Sequence, residues 1–546
     1  MINERTVTLS LIMFLMTSSL LAQLSLLNIG SGNVAALAQT NEEWNTSMIA
    51  GRIRATSHGL VDEEGRTIIL RGVNVGQKGG TYLPKHDEAS IKELVKETGI
   101  NFVRFYIHWR KLEPKAHQFD SGYIREVARI AKSFTNAGVY VMIDLHQDVW
   151  GEPFSCSGAA AWTSMGLDRA QTPMTKGLPW QAQYLDRRVY QSFNHFWNDD
   201  SLPGDHMSLQ QHYAKALGLV AKELADNDMV LGYDMINEPF MGEEIEFALD
   251  ELIEDLASDF DNDVIRATIK SLAKGGNVTQ EVGNQLIKHF QKAENFKKTF
   301  KPFARATAAF EKRLANFYKN VGTEIRRHDQ SSILFLEPFA LAGVGLPSFL
   351  QNPGFDNIVY TPHLYDCFMD SGLPYDNDDS RVLNALEAHV QTAKRLEAPL
   401  VIGEWGHLPK QADKLHVAKH FANTVCSAVN SVHCGSAYWD HDPGDEKKDH
   451  FRSAFHPYAR RVAGTINKME YVDGVFRLTY EPAQDVTAPT VVALPAICFG
   501  DNLAVDIQTD GSFRKEIQEN PRLLFVWAEG KSVVVTVSSE RKADEC

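Results

Sequence analysis

The sequence predicts an α/β fold, a (β/α)8 barrel followed by an antiparallel β-sandwich. Eight short apolar runs recur between residues 68 and 442, and amphipathic windows lie between several of them. Alternating strands and helices, with strands that are apolar almost throughout, are typical of a parallel sheet covered on both faces. After residue 464 the pattern changes to short alternating or β-branched runs between turn residues, which are typical of paired antiparallel strands.

Eight strand-and-helix units favour a closed barrel over an open doubly wound sheet, because no glycine-rich phosphate loop follows the first strand. The strands are predicted at 68–74, 102–109, 139–148, 230–239, 333–338, 358–366, 399–406 and 435–442. Helices are predicted at 89–98, 123–137, 209–227, 382–397 and 414–429, where apolar residues recur at helical spacing. The carboxyl ends of the strands are therefore the place to search for functional groups.

The chain is predicted to divide into a signal peptide at 1–38, the barrel at 39–465 and the β-sandwich at 466–546. Two segments are longer than barrel connections need. Residues 151–211 are rich in aromatic side chains, and residues 241–303 predict two added helices with a break near Gly275 and Gly276. The apolar faces of these helices either pack on the barrel or form the wall of an apolar groove beside the site.

The N-terminal residues have the composition of a targeting segment. Thr6 to Ile29 is largely apolar, Arg5 precedes it, and Ala36-Leu37-Ala38 supplies an A-x-A cleavage pattern. This pattern predicts a cleaved signal peptide and a secreted protein, with an uncleaved membrane anchor as the alternative.

Charge and cysteine content restrict the partners and the compartment. A formal net charge of −15 argues against a nucleic-acid partner and against docking on anionic lipid by charge alone. Six cysteines suit an oxidising compartment. Cys426 and Cys434 are near enough in sequence to form a local disulfide, and buried free thiols are the alternative.

Two of the predicted strands end on a glutamate. The run VLGYDMINEPF (230–240) ends at Glu238, and PLVIGEWG (399–406) ends at Glu404. Hydrolysis of a glycosidic bond needs one carboxylic acid to protonate the leaving oxygen and one carboxylate on the opposite face of the sugar. We predict Glu238 as the acid/base and Glu404 as the nucleophile, and retention of configuration would place their carboxyl groups ~5–5.5 Å apart.

Other strand-end residues suit supporting roles. Arg104 is a cation that could keep Glu404 ionised, and Tyr365 could hold its carboxylate. Asn237 can form a hydrogen bond with the sugar 2-hydroxyl, and Trp439 offers a flat face on which a sugar ring can stack. A single strand-end glutamate is more often a surface charge, and a single tryptophan is more often core. The predictions therefore depend on the residues occurring together.

The order of these residues resembles glycoside hydrolase family 5. It consists of Arg104, His146, Asn237-Glu238, His363, Tyr365, Glu404 and Trp439. Within that family the chain is similar to the endoglycoceramidases in DLHQDVW (144–150), SCSG (155–158), HPYARRVAGT (456–465) and the added β-domain, and the resemblance covers nearly the whole mature chain. It implies a (β/α)8 barrel, Glu238 as acid/base and Glu404 as nucleophile. It also implies that Lys78, Asp144, His146 and Asp148 bind the first sugar, and that no metal or organic cofactor is used.

The predicted function is that of a monomeric, retaining, endo-acting β-glycosidase that cleaves oligosaccharide from ceramide in glycosphingolipids. Its substrate would be met at a membrane or micelle surface, with residues 241–303 in contact with lipid. A steryl glucosidase, a glucosylceramidase or a β-glucanase would keep the same chemistry with another substrate. A catalytically inactive glycan-binding protein is a further alternative, which the presence of both Glu238 and Glu404 disfavours.

Overall fold

The computed structural model describes residues 44–168, 183–184, 186–272, 280–290, 292, 294–295, 298, 303–370, 375–406 and 415–539. The predicted signal peptide lies outside the described residues, and so does the predicted helix break at Gly275 and Gly276. Among the residues described, no helix is long and apolar enough to cross a membrane.

The predicted (β/α)8 barrel is confirmed, and short N-terminal strands precede it. These are β1 (Ile53–Thr56), β2 (Gly59–Asp62) and β3 (Thr67–Ile68). The barrel strands are β4 (Arg71–Val75), β5 (Phe102–Ile107), β6 (Tyr140–Leu145), β7 (Val230–Asp234), β8 (Ile333–Leu336), β9 (Ile358–Tyr360), β10 (His363–Leu364), β11 (Val401–Trp405) and β12 (Gly435–Tyr438).

The barrel closes through its sixth strand, which is interrupted. β9 and β10 are two parts of that strand, because Pro362 between them has no N–H to donate to a ladder. β9 pairs with β8, β10 pairs with β11, and a parallel bridge joins Tyr360 to Leu400. β12 pairs with β4, so the parallel sheet returns to its first strand.

The helices surround the barrel. They are α1 (Glu88–Thr98), α2 (Trp109–Leu112), α3 (Ser121–Asn136), α4 (Arg187–Trp197), α5 (Leu209–Leu224), α6 (Glu244–Ser258), α7 (Asp263–Leu272), α8 (Gln280–Phe290), α9 (Phe303–Arg326), α10 (Cys367–Asp370), α11 (Ser380–Leu396), α12 (Leu415–Ser431) and α13 (Asp449–Arg452). Local sequence explains several helix starts. Asp87 and Ser90 form a reciprocal capping box before α1, and Ser208 and Gln211 form one before α5.

The segment after β7 contains three described helices where the sequence predicts two. The chain breaks between α6 and α7, where the Asn262 side chain accepts a hydrogen bond from the Val264 amide at 2.9 Å and so caps the new helix. The apolar face of α6 is buried, including Ile245, Leu252 and Leu256, and α6 packs on α9. The apolar face of α6 therefore packs against the rest of the protein and does not form the wall of an open groove.

The C-terminal region forms two antiparallel sheets. Its strands are β13 (Tyr458–Val462), β14 (Gly464–Val472), β15 (Val475–Pro482), β16 (Thr490–Ala493), β17 (Leu503–Thr509), β18 (Phe513–Glu519), β19 (Arg522–Ala528) and β20 (Val533–Ser539). One sheet has the order β14-β15-β20-β17, and the other has the order β1-β2-β3-β13-β16-β19-β18. The N-terminal strands therefore complete a C-terminal sheet, and the predicted boundary at residue 465 falls within β14.

Cys426 and Cys434 are thiols in the structure. Both are buried, and burial raises the pKa of each thiol to about 12. The Cys426 thiol donates to the Ala454 carbonyl oxygen at 3.4 Å. The local disulfide is therefore not formed, and the alternative of buried thiols describes this pair.

Candidate active site

A cavity of about 540 Å³ opens where the barrel strands end. Eight of the predicted site residues line it: Lys78, His146, Asp148, Asn237, Glu238, Tyr365, Glu404 and Trp439. Three more, Arg104, Asp144 and His363, are buried immediately behind this lining and contact it through hydrogen bonds or ion pairs. The structure thus brings all the predicted site residues to one place.

The two predicted catalytic glutamates face each other across His363. A carboxylate oxygen of Glu238, one of Glu404 and a ring nitrogen of His363 all lie within 4.8 Å of one another. Retaining glycosidases hold their two carboxyl groups ~5–5.5 Å apart, whereas inverting enzymes separate them by ~6.5–9.5 Å to admit a water. The short separation suits direct attack by one carboxylate rather than activation of a water from the opposite face.

Glu404 is buried and held at both oxygens. Its Oε1 lies 2.6 Å from Nη1 of Arg104, and its Oε2 accepts a hydrogen bond from the Tyr365 hydroxyl at 3.1 Å. Burial raises the pKa of Glu404, while His363 and Arg104 oppose that rise by stabilising the carboxylate. These contacts fix the orientation of the Glu404 side chain, which lines the cavity.

Arg104 is the cation at the centre of this network and is fully buried. Its guanidinium lies within 3.1 Å of four carboxylates: Asp144, Asp234, Glu337 and Glu404. Burial lowers the pKa of Arg104, but the surrounding carboxylates outweigh burial and raise it well above its usual range. Arg104 is therefore a permanent positive charge that holds several carboxylates in fixed positions.

Glu238 is held in a backbone conformation that few residues adopt. Its φ is +43°, in the left-handed region, where a side chain is strained. Two contacts fix it: the Glu238 amide donates to Glu337 Oε2 at 2.8 Å, and Glu238 Oε1 lies 2.9 Å from Nδ1 of His363. The strained turn aims the carboxyl group of Glu238 into the cavity instead of leaving it along the strand.

His363 carries a positive charge between the carboxylates. Its Nε2 lies 3.2 Å from Glu337, and its Nδ1 lies 3.5 Å from Glu404. Burial lowers the pKa of His363, but Glu337 and Glu404 outweigh burial and raise it well above its usual range. An imidazolium at this position compensates part of the negative charge of the paired glutamates.

A second polar group forms the other wall of the cavity. Lys78 Nζ contacts Asp148 at 2.9 Å and lies 4.5 Å from the ring centroid of Trp439. His146 stacks on Trp439 with centroids 5.4 Å apart, and its Nδ1 lies 2.7 Å from Asp144. Burial raises the pKa of Asp148, but Lys78 and His146 outweigh burial and lower it well below its usual range. Charged donors and acceptors beside an indole face suit recognition of sugar hydroxyls.

Asn237 is fixed by both ends of its amide. Its Oδ1 accepts from Arg104 at 2.9 Å, and its Nδ2 donates to the Gln147 carbonyl at 3.1 Å. One N–H of Nδ2 is thus used, and the second remains for a ligand because the amide carries two.

Sequence reasoning missed several groups of the site. Glu337 contacts Arg104, His363 and the Glu238 amide, and Asp234 contacts Arg104. Tyr82 and Arg110 also line the cavity. The signal for Glu337 was present, because ILFLEP ends on Glu-Pro as MINEP does.

The fold and the site together define a class of protein, the (β/α)8-barrel glycoside hydrolases with a retaining pair of glutamates. A model described as cellulase (glycosyl hydrolase family 5) matches residues 61–445, and one for the glycoside hydrolase family 5 C-terminal domain matches residues 456–538. The chain belongs to glycoside hydrolase family 5.

Its relatives include proteins named for glycolipids. It is 29% identical to endoglycoceramidase I of Rhodococcus hoagii over 192 residues, which is 35% of this chain and 37% of that relative. The matched part therefore spans well under half of that relative's length. Endo-glycoceramidase II from Rhodococcus sp. is similar in structure in its ganglioside GM3 complex, with a TM-score of 0.64, 27% identity and coverage of 88% and 99% of the two chains. The same protein as a lactosyl-enzyme intermediate gives a TM-score of 0.63, 27% identity, and coverage of 88% and 100%.

Proposed function

We propose that this protein is a retaining, endo-acting β-glycosidase that hydrolyses the bond between an oligosaccharide and ceramide in glycosphingolipids. The observation that carries the proposal is the pair of strand-end glutamates with oxygens within 4.8 Å of each other. The similarity to a glycoceramidase bound to a ganglioside, over 88% of the chain, supports the choice of substrate. A monomer at a membrane or micelle surface is part of the same proposal.

In the first chemical step, Glu404 attacks the anomeric carbon while Glu238 gives its proton to the leaving oxygen. The carbon–oxygen bond to ceramide breaks, and a glycosyl ester of Glu404 forms. Arg104 and Tyr365 keep Glu404 ionised and oriented before attack. The negative charge of Glu404 is consumed in the ester, so Glu238 no longer faces the Glu404 carboxylate once the bond has formed, and only the contact with His363 remains.

In the second step the roles of acid and base reverse. Glu238, now a carboxylate, takes a proton from water, and the water oxygen attacks the anomeric carbon. The ester bond breaks, Glu404 leaves as a carboxylate, and the sugar is released with its configuration retained. Asn237 donates to the 2-hydroxyl, and Lys78, Asp144, His146 and Asp148 position the first sugar, with Trp439 beneath its ring.

The test is digestion of a mixed panel of glycosphingolipids, with the products identified by mass spectrometry. We expect intact oligosaccharide and free ceramide. Release of single glucose from monoglucosylated lipid or sterol alone would instead assign a glucosylceramidase or steryl glucosidase. Absence of hydrolysis with retained glycan binding would assign the inactive binding protein.

Variants of the two glutamates separate their roles. Glu404→Gln should abolish hydrolysis, because no nucleophile remains. Glu238→Gln should lower kcat about 10²–10⁴-fold on glycolipid, which is the usual contribution of a general acid/base. With an activated aryl glycoside, whose leaving group needs no proton, Glu238→Gln should accumulate the glycosyl ester on the peptide that contains Glu404. Glu126→Gln, on the exposed side of α3, is the control and should leave both rates unchanged.

Secretion with cleavage of the first 38 residues is proposed from the N-terminal sequence. The support is the apolar stretch from Thr6 to Ile29, followed by Ala36-Leu37-Ala38. Sequencing the N-terminus of protein collected from the medium should give Gln39 as the first residue. A protein that stays with the membrane fraction and begins at Met1 would favour the uncleaved anchor.

A further inference from the structure

Outside the catalytic cavity, two loops bring a group of metal-ligating side chains to one point. His117 lies in the loop between α2 and α3, and Asp205 and His206 lie in the loop before α5. One potential ligand atom from each of the three residues lies within 4.8 Å of the other two. The loops are far apart in sequence, since His117 and Asp205 are separated by 88 positions.

The distances in this cluster suit a small divalent ion. His117 Nε2 lies 2.9 Å from Asp205 Oδ1, and His206 Nδ1 lies 3.8 Å from the same oxygen. Ligand atoms ~2.0–2.1 Å from a tetrahedral zinc stand roughly 3.4 Å apart. The two imidazole rings are nearly parallel, with 9° between their planes and 5.1 Å between their centroids. The third pair, the ring nitrogens of His117 and His206, lies within 4.8 Å, so binding would require side-chain rotations that bring the two rings together.

A buried layer behind the cluster holds the aspartate in place. His212, which is buried, contacts the other oxygen of Asp205 with Nε2 at 3.1 Å, and its Nδ1 lies 2.7 Å from Glu113. Glu113 also accepts the amide of His117 at 2.7 Å. The ligands of metal sites in proteins usually have such hydrogen-bond partners, which fix the orientation of each ligand side chain. The Met207 amide donates to Asp205 Oδ1 at 2.9 Å and fixes the carboxylate further.

The side chains remain accessible from solvent. His117 is 40% exposed and His206 is 82% exposed, whereas Asp205 is 7% exposed. The cluster is therefore a half-buried carboxylate flanked by two accessible imidazoles, with room for water or another ligand in the remaining position. Two imidazoles and one carboxylate are a ligand set that zinc-type ions accept.

We propose that His117, Asp205 and His206 form a binding site for a divalent transition metal of the zinc type. The bound metal would link the loop between α2 and α3 to the loop before α5. In the metal-free state His117 and Asp205 share a hydrogen bond, and the metal would replace that proton. The site lies outside the catalytic cavity, and a bound metal would stabilise the two loops that supply its ligands.

The experiment measures Zn²⁺ binding by equilibrium dialysis, using full-length protein purified without a histidine tag and stripped with a chelator. Wild type should bind zinc, and His117→Ala or His206→Ala should weaken that binding about 100-fold or more, because loss of an outer partner alone costs 10–100-fold. His328→Ala is the matched control, since His328 faces Glu324 at 3.6 Å without a second imidazole. His206 is 82% exposed and is the cleaner variant, whereas His117 also packs on the His212 ring with 4.6 Å between centroids.

A second triad, Glu238, His363 and Glu404, could also bind zinc, and a Glu404→Gln background removes it. Zinc binding that persists in Glu404→Gln and is lost in Glu404→Gln/His206→Ala supports the proposed site. Zinc should also raise the thermal unfolding temperature of Glu404→Gln, but not of Glu404→Gln/His206→Ala. Equal zinc binding by Glu404→Gln and Glu404→Gln/His206→Ala, or loss of binding in Glu404→Gln alone, would overturn the proposal.

Discussion

At the scale of single residues, the two glutamates are distinguished by what surrounds them. Glu404 is 5% exposed and is held by Arg104 and Tyr365, whereas Glu238 has a 19% exposed side chain and contacts His363. A nucleophile must be ionised and fixed, and an acid/base must exchange protons with a leaving group and with water. The difference in environment therefore matches the proposed division of roles.

The acid side of the pH–activity profile should report the ionisation of Glu404. Burial raises the pKa of this carboxyl group, so activity is lost as the pH falls through a value above the ordinary 4.5. Tyr365→Phe removes a hydrogen bond that stabilises the charged form, so the pKa of Glu404 should rise further. A hydrogen bond to a charged group contributes about 1.5–3 kcal/mol, and the acid limb should move upward by about one to two pH units.

The measurement is kcat/KM against pH with a soluble aryl β-glycoside. Tyr458→Phe is the control, because its hydroxyl donates to the Gly99 carbonyl at 3.0 Å, away from the cavity. An acid limb that stays in place in Tyr365→Phe, or moves downward, would show that Tyr365 does not stabilise the Glu404 carboxylate.

A carboxylate that interrupts an apolar run at its end is a local signal, and it led to two residues that line the cavity. Glu238 and Glu404 stand out in this way, and the chemistry of glycoside hydrolysis assigns them roles. Glu337 has the same local signal, but only its contacts with Arg104 and His363 reveal it as a supporting group. Asp234 lies within a strand, and burial raises its pKa well above the usual range. Its part in the site depends on barrel closure, which local sequence does not show.

At the scale of elements, the helices after β7 combine a buried face with exposed apolar side chains. Phe247 on α6 is 73% exposed, and Val264 on α7 is 70% exposed. Because the opposite face of α6 packs on α9, deleting the whole segment would damage the fold. Single exposed positions are the better probe of lipid contact.

We expect Phe247→Ser with Val264→Ser to raise KM for micelle-bound glycolipid about 10-fold. Burial of one large apolar side chain contributes about 1.5–3 kcal/mol, and partial insertion of two gives a similar amount. Cleavage of a soluble aryl glycoside should not change, because neither residue lines the catalytic cavity. Phe513→Ser is the control, since this phenylalanine is 50% exposed on β18. Equal losses on both substrates would argue against lipid contact.

Element-scale prediction placed the barrel strands but undercounted the added helices. The strands could be predicted because buried parallel strands leave short, nearly continuous apolar runs. The break between α6 and α7 was missed because apolar residues continue at helical spacing on both sides. Its local signal is the polar run before Val264, where Asn262 caps the new helix.

At the scale of the whole molecule, the stretch HPYARRVAGT joins three parts of the chain. It forms β13, which pairs with β3 and β16 in the sheet that the N-terminal strands complete. The Tyr458 hydroxyl donates to the Gly99 carbonyl, and Arg460 donates to the Gly138 carbonyl at 3.2 Å. These loops precede β5 and β6, so the C-terminal region packs at the amino ends of the strands, opposite the catalytic cavity. The pairing of strands about 400 residues apart leaves no local sequence signal, which is why it was not predicted.

Arg461 is the strongest of these connections. It is buried, and its guanidinium donates to Asp62 Oδ2 at 3.0 Å, to the Tyr140 hydroxyl at 2.6 Å and to the Ile49 carbonyl at 2.6 Å. These contacts link β13 to β2, to β6 of the barrel and to the N-terminal segment. Asp62 keeps its buried ion pair with Arg66 at 2.8 Å when Arg461 is removed, so no buried charge is left without compensation. The cost comes from the buried oxygen atoms that lose their donor, chiefly the Ile49 carbonyl, and such a loss costs about 1–3 kcal/mol.

We therefore expect Arg461→Met to lower the free energy of unfolding by about 1–3 kcal/mol in a denaturant titration. The kcat/KM for a soluble glycoside at 25 °C should stay close to that of wild type, since Arg461 lies at the far end of the barrel from Glu404. Arg477→Met, at a 52% exposed position on β15, is the control and should leave both quantities unchanged. If Arg461→Met unfolds at the same denaturant concentration as Arg477→Met, the contacts with Asp62 and Tyr140 do not stabilise the packing of the β-domain. If Arg461→Met instead loses activity while fully folded, the amino ends of the strands influence the catalytic cavity and do not contribute to stability alone.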